Sequence, residues 1–166
     1  MALALWCSAC LYGPPILEPP APIDTPPFWF PDDVEPSQDM PVVVDLATRE
    51  PIRFELRAVY DWNLGDRLVQ RWLVYNPLLP EGVVELRRLE LRPRAEQPFP
   101  DATVYESASF EALPCAFPLE PRYRTLRVRL EIIDELDVAS RDLLGRDRYQ
   151  PRVEWLVELR GDCPDG

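Results

Sequence analysis

The chemistry open to this chain is limited by two residue types that its sequence lacks. None of its 166 residues is histidine, and all 18 of its basic residues are arginine. Without histidine there is no Ser-His-Asp or Cys-His nucleophile and no imidazole metal ligand. Without lysine there is no Schiff base and no P-loop. A carboxylate pair could still hydrolyse a glycoside, but the sequence alone does not place two carboxylates at the separation that this reaction requires. We therefore expect no enzyme and no cofactor, and a carboxylate-dependent glycoside hydrolase is the third-ranked alternative.

Cysteine is the strongest nucleophile left, and the chain has four. Cys7 and Cys10 have the C-x-x-C spacing of a redox or zinc motif, but neither a second such pair nor a βαβ pattern accompanies them. Cys115 and Cys163 are the other two cysteines. A disulfide between them would stabilise the chain by about 4 kcal/mol in the chain-entropy account and would indicate an oxidising compartment. The alternative is two buried thiols.

Acidic groups are in excess, with 29 carboxylates and a net charge of -11. This charge repels phosphate backbones, so we expect no nucleic-acid partner. The segment DWNLGD places possible oxygen ligands at Asp61, Asn63 and Asp66 around Gly65, which makes it a weak calcium candidate. A hairpin turn between two strands needs the same residue types. We therefore predict a turn and no metal.

The elements that must position these groups lie from residue 41 onward, where polarity alternates with a period of two. Three stretches show the alternation most clearly: PIRFELRAVY (51–60), TLRVRLEII (125–133) and RVEWLVEL (152–159). This pattern is typical of antiparallel strands with one face in a core and the other in water. The other predicted strands are VVVDLA (42–47), RLVQRWLVYN (67–76), VVELRRLELR (83–92) and, more weakly, ASFEAL (108–113).

Seven strands at this spacing predict an all-β fold, an immunoglobulin-like antiparallel β-sandwich over residues 41–166. Trp72 lies in the middle of the third strand and is expected in the core. The alternation slips near Arg87 and Arg88, which predicts a β-bulge. The segment DELDVASRDLLGRDR (134–148) is predicted to be a long charged loop.

An extended, proline-rich arm is predicted over residues 10–40, before the sandwich. Closely spaced prolines favour polyproline II at about 3.1 Å per residue, so the segment suits a tether. Within it, Phe28, Trp29 and Phe30 would be costly to leave in water. These three are the candidate partner-binding residues. They either dock on the folded domain or form a patch for a partner.

Residues 1–9 are almost wholly apolar and end in the small residues Ser8 and Ala9, as signal-peptide segments do before a cleavage site. Ser8-Ala9-Cys10 resembles the end of a bacterial lipobox, in which the cysteine becomes the first mature residue and is acylated. With its proline-rich arm and sandwich, the chain resembles the small uncharacterised lipoproteins of GC-rich Gram-negative bacteria. The resemblance implies lipidation at Cys10, an outer-membrane anchor and an immunoglobulin-like fold, but no activity. The alternative for residues 1–9 is a hydrophobic N-terminal strand or an unstructured start.

We therefore expect a lipid-anchored outer-membrane protein, facing the periplasm or the cell surface, that displays its sandwich as a binding or structural module. Its partners would be the membrane, through the acyl chains, and an unidentified protein or glycan. The leading alternative is a subunit of a larger envelope assembly, in which the arm docks onto a neighbour.

Overall fold

The computed structural model describes residues 25–48, 50–75, 83–116, 124–134 and 151–164. Cys7, Cys10 and the rest of residues 1–24 lie outside the described residues, as does most of the predicted loop at 134–148. The described residues contain ten strands and two short 3-10 helices, Pro31–Asp33 and Pro114–Ala116. The all-β, immunoglobulin-like sandwich is confirmed. In the described part of the chain, no helix combines the length and apolar character that a membrane span requires.

The larger layer is a five-stranded sheet with the order β2-β10-β9-β5-β6. Its strands are β2 (Val42–Asp45), β5 (Leu68–Tyr75), β6 (Val83–Glu90), β9 (Thr125–Asp134) and β10 (Arg152–Arg160). Each pair is antiparallel except β2 with β10, which is parallel. The predicted sandwich is therefore not antiparallel throughout. The strand Val34–Glu35 pairs with Ile52–Leu56 in the other layer, so the chain changes layers between Glu35 and β2.

The other layer is built from β1 (Val34–Glu35), β3 (Ile52–Leu56), β4 (Val59–Asp61), β7 (Thr103–Tyr105) and β8 (Ala108–Ala112). The β3–β8 and β4–β7 pairs keep one common register, so they are two halves of a single long ladder. The ladder is interrupted because the Arg57 and Glu106 amides donate instead to the carbonyls of Asp33 and Arg92, each at 2.8 Å.

The core lies between the two layers and contains two stacked tryptophans. Trp72 on β5 and Trp155 on β10 are fully buried, with ring centroids 5.8 Å apart and planes 11° apart. The Trp72 Nε1–H donates to Gln70 Oε1 at 2.9 Å, and the Trp155 Nε1–H donates to the carbonyl of Pro36 at 2.6 Å. Both indole N–H groups are thus satisfied, as burial of a tryptophan requires. The core position predicted for Trp72 is confirmed.

All seven predicted strands form, although the stretch predicted over 51–60 is divided into β3 and β4. Two further strands, β1 and β7, were not predicted. The predicted bulge is also present, because the β5–β6 pairing shifts between Trp72 and Leu73 and leaves Leu86 as the extra residue. β6 is an exposed edge strand. Its bulge and arginines are features that discourage pairing with another chain.

A disulfide joins Cys115 to Cys163, with a Cα–Cα distance of 5.8 Å. It ties the segment after β8 to the segment after β10, and so links the two layers at one end of the sandwich. The pairing expected from the cysteine count is therefore present in the structure.

Candidate binding surface

The described part of the predicted arm lies along the free edge of the smaller layer. Phe28 and Tyr60 exchange two main-chain hydrogen bonds of 2.9 and 2.8 Å, and Val34 pairs with Leu56 further along. Residues 25–35 of the arm are therefore attached to the folded unit, although they lie inside the segment predicted as a tether. Covering the edge of β3 and β4 in this way satisfies backbone groups that an open edge would expose.

The turn DWNLGD holds the start of this arm. The Asn63 side chain donates from Nδ2 to the Thr25 carbonyl at 2.8 Å, while its Oδ1 accepts from the Thr25 amide at 3.4 Å. Asp61 Oδ1 accepts the Asn63 amide at 2.9 Å, and Gly65 adopts a φ of 91°, which favours glycine.

The same turn was the calcium candidate. The structure places Asp61 in the buried interior, whereas the Asp66 carbonyl accepts the Tyr105 hydroxyl at 2.6 Å. Among the residues that the structure describes, no three or more cysteine, aspartate or glutamate side chains are grouped to hold a metal ion. The arrangement is that of a turn that fastens the arm.

Five aromatic side chains gather where the arm meets this turn, and we call them the aromatic corner: Phe28, Phe30, Tyr60, Trp62 and Phe99. Phe28 stacks on Tyr60 and Trp62, with centroid distances of 5.4 and 5.6 Å. Phe30 and Phe99 contact Tyr60 edge-on at 5.1 and 6.1 Å. Ring pairs in this range stabilise one another beyond their burial, so the corner is a preorganised apolar surface.

The aromatic corner remains open to solvent. Phe30, Trp62 and Phe99 are 51%, 50% and 45% exposed, and Leu64 at the tip of the turn is 67% exposed. Three half-exposed rings of this size present about 300 Å² of aromatic surface. A contiguous apolar patch of that order is the largest a typical monomer shows, and it often marks an interaction site.

The three residues predicted to bind a partner do not share one environment. Phe28 and Phe30 belong to the aromatic corner, whereas Trp29 turns the other way and packs against the core. This division follows from the extended conformation of the arm, in which successive side chains point to opposite sides. The surface is completed by Tyr60, Trp62 and Phe99, which the sequence analysis did not select.

The outward face of the larger sheet carries a second cluster, centred on Glu154. This carboxylate accepts from Arg127 at 2.5 Å, from Arg129 at 2.8 and 3.0 Å, and from the Tyr75 hydroxyl. Burial raises the pKa of Glu154, but these hydrogen bonds outweigh it and lower the pKa overall. Burial, together with the bond to Glu154, raises the pKa of Tyr75.

Ion pairs continue across this face to its edge. Arg71 contacts Glu131 at 3.5 Å and Glu85 at 2.6 Å, and Glu85 is also 3.3 Å from Arg88. The hydrogen bond from Arg71 lowers the pKa of Glu85, so its carboxylate remains charged. Because these charged groups pair with one another within the sheet, the face has fewer groups available to bind a partner than the aromatic corner has.

A groove of about 390 Å³ beside the turn is lined by Asp66, Glu90 and Tyr105, among others. Glu90 makes two bonds to Arg67, at 2.9 and 3.1 Å, and the Arg67 hydrogen bonds lower its pKa. A glycosidase needs one carboxyl whose pKa is raised, so that it can act as a general acid. Glu90 does not meet that requirement.

No protein-family model matches the chain, and no curated protein matches it.

Proposed function

We propose that this protein is a lipid-anchored component of the cell envelope, held in the outer membrane through Cys10, that displays its sandwich as a binding or structural module. The observation that supports this most is the Cys115–Cys163 disulfide. Disulfides persist in oxidising compartments such as the bacterial periplasm. Once this pair is formed, Cys10, next to Ser8 and Ala9, is available for acylation.

The proposal gives the N-terminal segment a definite role. Thr25 is the first residue that the structure describes, and residues 10–24 connect it to the proposed anchor. Their proline content favours polyproline II, in which such a segment reaches about 45 Å at ~3.1 Å per residue. More than one acyl chain on Cys10 would hold the protein at the membrane more firmly than a single chain could.

The alternative role, a subunit whose arm threads into a neighbour, has less support. The Phe28–Tyr60 bonds, the Thr25–Asn63 bonds and the Val34–Leu56 pair all occupy the arm within its own chain. Docking residues 25–35 on a neighbour would first have to break these contacts.

Metabolic labelling with an alkyne fatty acid in the source cells tests the proposal. We expect the full chain to incorporate the label, Cys10→Ser to lose it, and Cys7→Ser to retain it as the matched control. Labelling of Cys10→Ser, or no labelling of the unaltered chain, would refute anchoring at Cys10.

A further inference from the structure

The aromatic corner and Thr25 lie at the same end of the sandwich. Thr25, the first described residue, is bonded to Asn63, the residue next to Trp62. The disulfide lies at the other end, beyond the Ile52–Ala112 pair. The ladder from Ile52 to Asp61 separates the two ends by about 30 Å, at ~3.3 Å per residue.

Thr25 lies 15 positions after Cys10, so an anchor at Cys10 would place this corner within reach of the bilayer. The opposite end, with Cys115 and Cys163, lies further from Thr25. An anchored domain can therefore present the aromatic corner to the membrane.

The residue types at the corner suit the boundary between lipid head groups and acyl chains. Trp62 and Leu64 project from the turn, and Phe30 and Phe99 flank it. Aromatic rings are enriched at membrane interfaces because they combine apolar area with affinity for the head-group region. Asp32 and Asp33 follow Phe30 after Pro31, and the chain carries a net charge of -11. Such a surface is repelled by anionic lipids, so its lipid would be zwitterionic.

We propose that the aromatic corner lies in the interfacial layer of the bilayer, with Trp62 and Leu64 inserted among zwitterionic head groups. This inference rests on the proposed function, because the anchor brings the protein to the membrane. The acyl chains keep the protein at the membrane, and the corner fixes the orientation of the sandwich. The disulfide end then projects away from the lipid.

Flotation with phosphatidylcholine vesicles tests the proposal without the acyl chains. Every described strand and the disulfide lie at or after Thr25, so residues 10–166 with Cys10→Ser contain the whole described fold. We expect this protein to bind vesicles, and Trp62→Ser with Leu64→Ser to lower the partition coefficient at least tenfold.

The matched control is Val83→Ser with Leu113→Ser, which removes two apolar side chains of 50% and 53% exposure from elsewhere on the surface. It should bind as the parent does. Equal binding of the two double variants would overturn the proposal, as would the absence of any binding by the parent. The proposal would also be overturned if the aromatic corner bound a soluble glycan or protein but did not bind vesicles.

A second measurement uses the full acylated chain in vesicles that contain brominated phosphatidylcholine. Trp62 is half exposed, whereas Trp72 and Trp155 are buried, so bromine quenching should fall sharply in Trp62→Phe. Undiminished quenching in that variant would contradict insertion of the corner. Acylation at Cys10 together with no contribution of Trp62 to the bromine quenching would leave the anchoring proposal intact and refute only the insertion of the aromatic corner.

Discussion

Removing the Cys115–Cys163 disulfide should lower stability by an amount that follows from its position in the chain. The two cysteines are 48 positions apart. In the chain-entropy account, closing a loop of that length reduces the entropy of the unfolded chain by an amount worth about 4 kcal/mol at 25 °C. We therefore expect Cys115→Ser with Cys163→Ser to unfold with about 4 kcal/mol less free energy and to melt about 10 °C lower.

Urea denaturation followed by tryptophan fluorescence measures this loss, because Trp72 and Trp155 report on the core. A reducing agent should lower the stability of the unaltered protein to that of the double variant and should leave the variant unchanged. A difference below about 1 kcal/mol would show that the disulfide does not constrain the unfolded chain as this account requires.

Three further substitutions test the turn, the sheet face and the end of β10. Asn63→Ala removes the side-chain hydrogen bond to the Thr25 carbonyl and should lower the free energy of unfolding by about 1 kcal/mol. Amide hydrogen exchange at Phe28 should become faster, and unchanged exchange there would contradict the role of the turn in fastening the arm. Glu154→Gln should lower the free energy of unfolding by about 1–2 kcal/mol at neutral pH. Because the folded pKa of Glu154 is lowered, its stabilisation is present above the ordinary glutamate pKa and is lost as pH falls through the folded value. The variant should therefore lose less stability between pH 7 and pH 3 than the parent does in parallel denaturation curves, and an identical pH dependence would count against this role. Gly161→Ala should lower the free energy of unfolding by about 1 kcal/mol or more, as measured by denaturation. The reason is that Gly161 has a φ of 71° and that a Cβ there would lie 3.0 Å from Asp45 Oδ1. A variant of unchanged stability would mean that the backbone readily adapts.

Alternation of polarity predicted the long strands because each buries one face against the other layer. It could not predict β1 and β7, which contain two and three residues and are too short to show a period. Alternation also gives no measure of burial for β5, which is buried on both sides. Val69 and Leu73 alternate with the core residue Trp72 and are only 8% and 3% exposed.

The aromatic corner was only partly predictable because its members come from three separate segments. Phe28 and Phe30 were conspicuous as apolar residues among prolines. Tyr60 belonged to an alternating strand, Trp62 to a turn and Phe99 to a polar stretch, so nothing local distinguished them. Pairing of the arm with β4 brings them together, and pairing of distant segments is a tertiary property. A tryptophan and a leucine in the exposed turn DWNLGD were the one available signal.

The intact mass of the native protein, recovered from the membrane fraction of its source cells, tests the central claim most directly. The account predicts a chain that begins at Cys10, carries added acyl mass and lacks the two hydrogens lost on forming the Cys115–Cys163 bond. An unmodified chain that begins at Met1 and is recovered from the soluble fraction would contradict it.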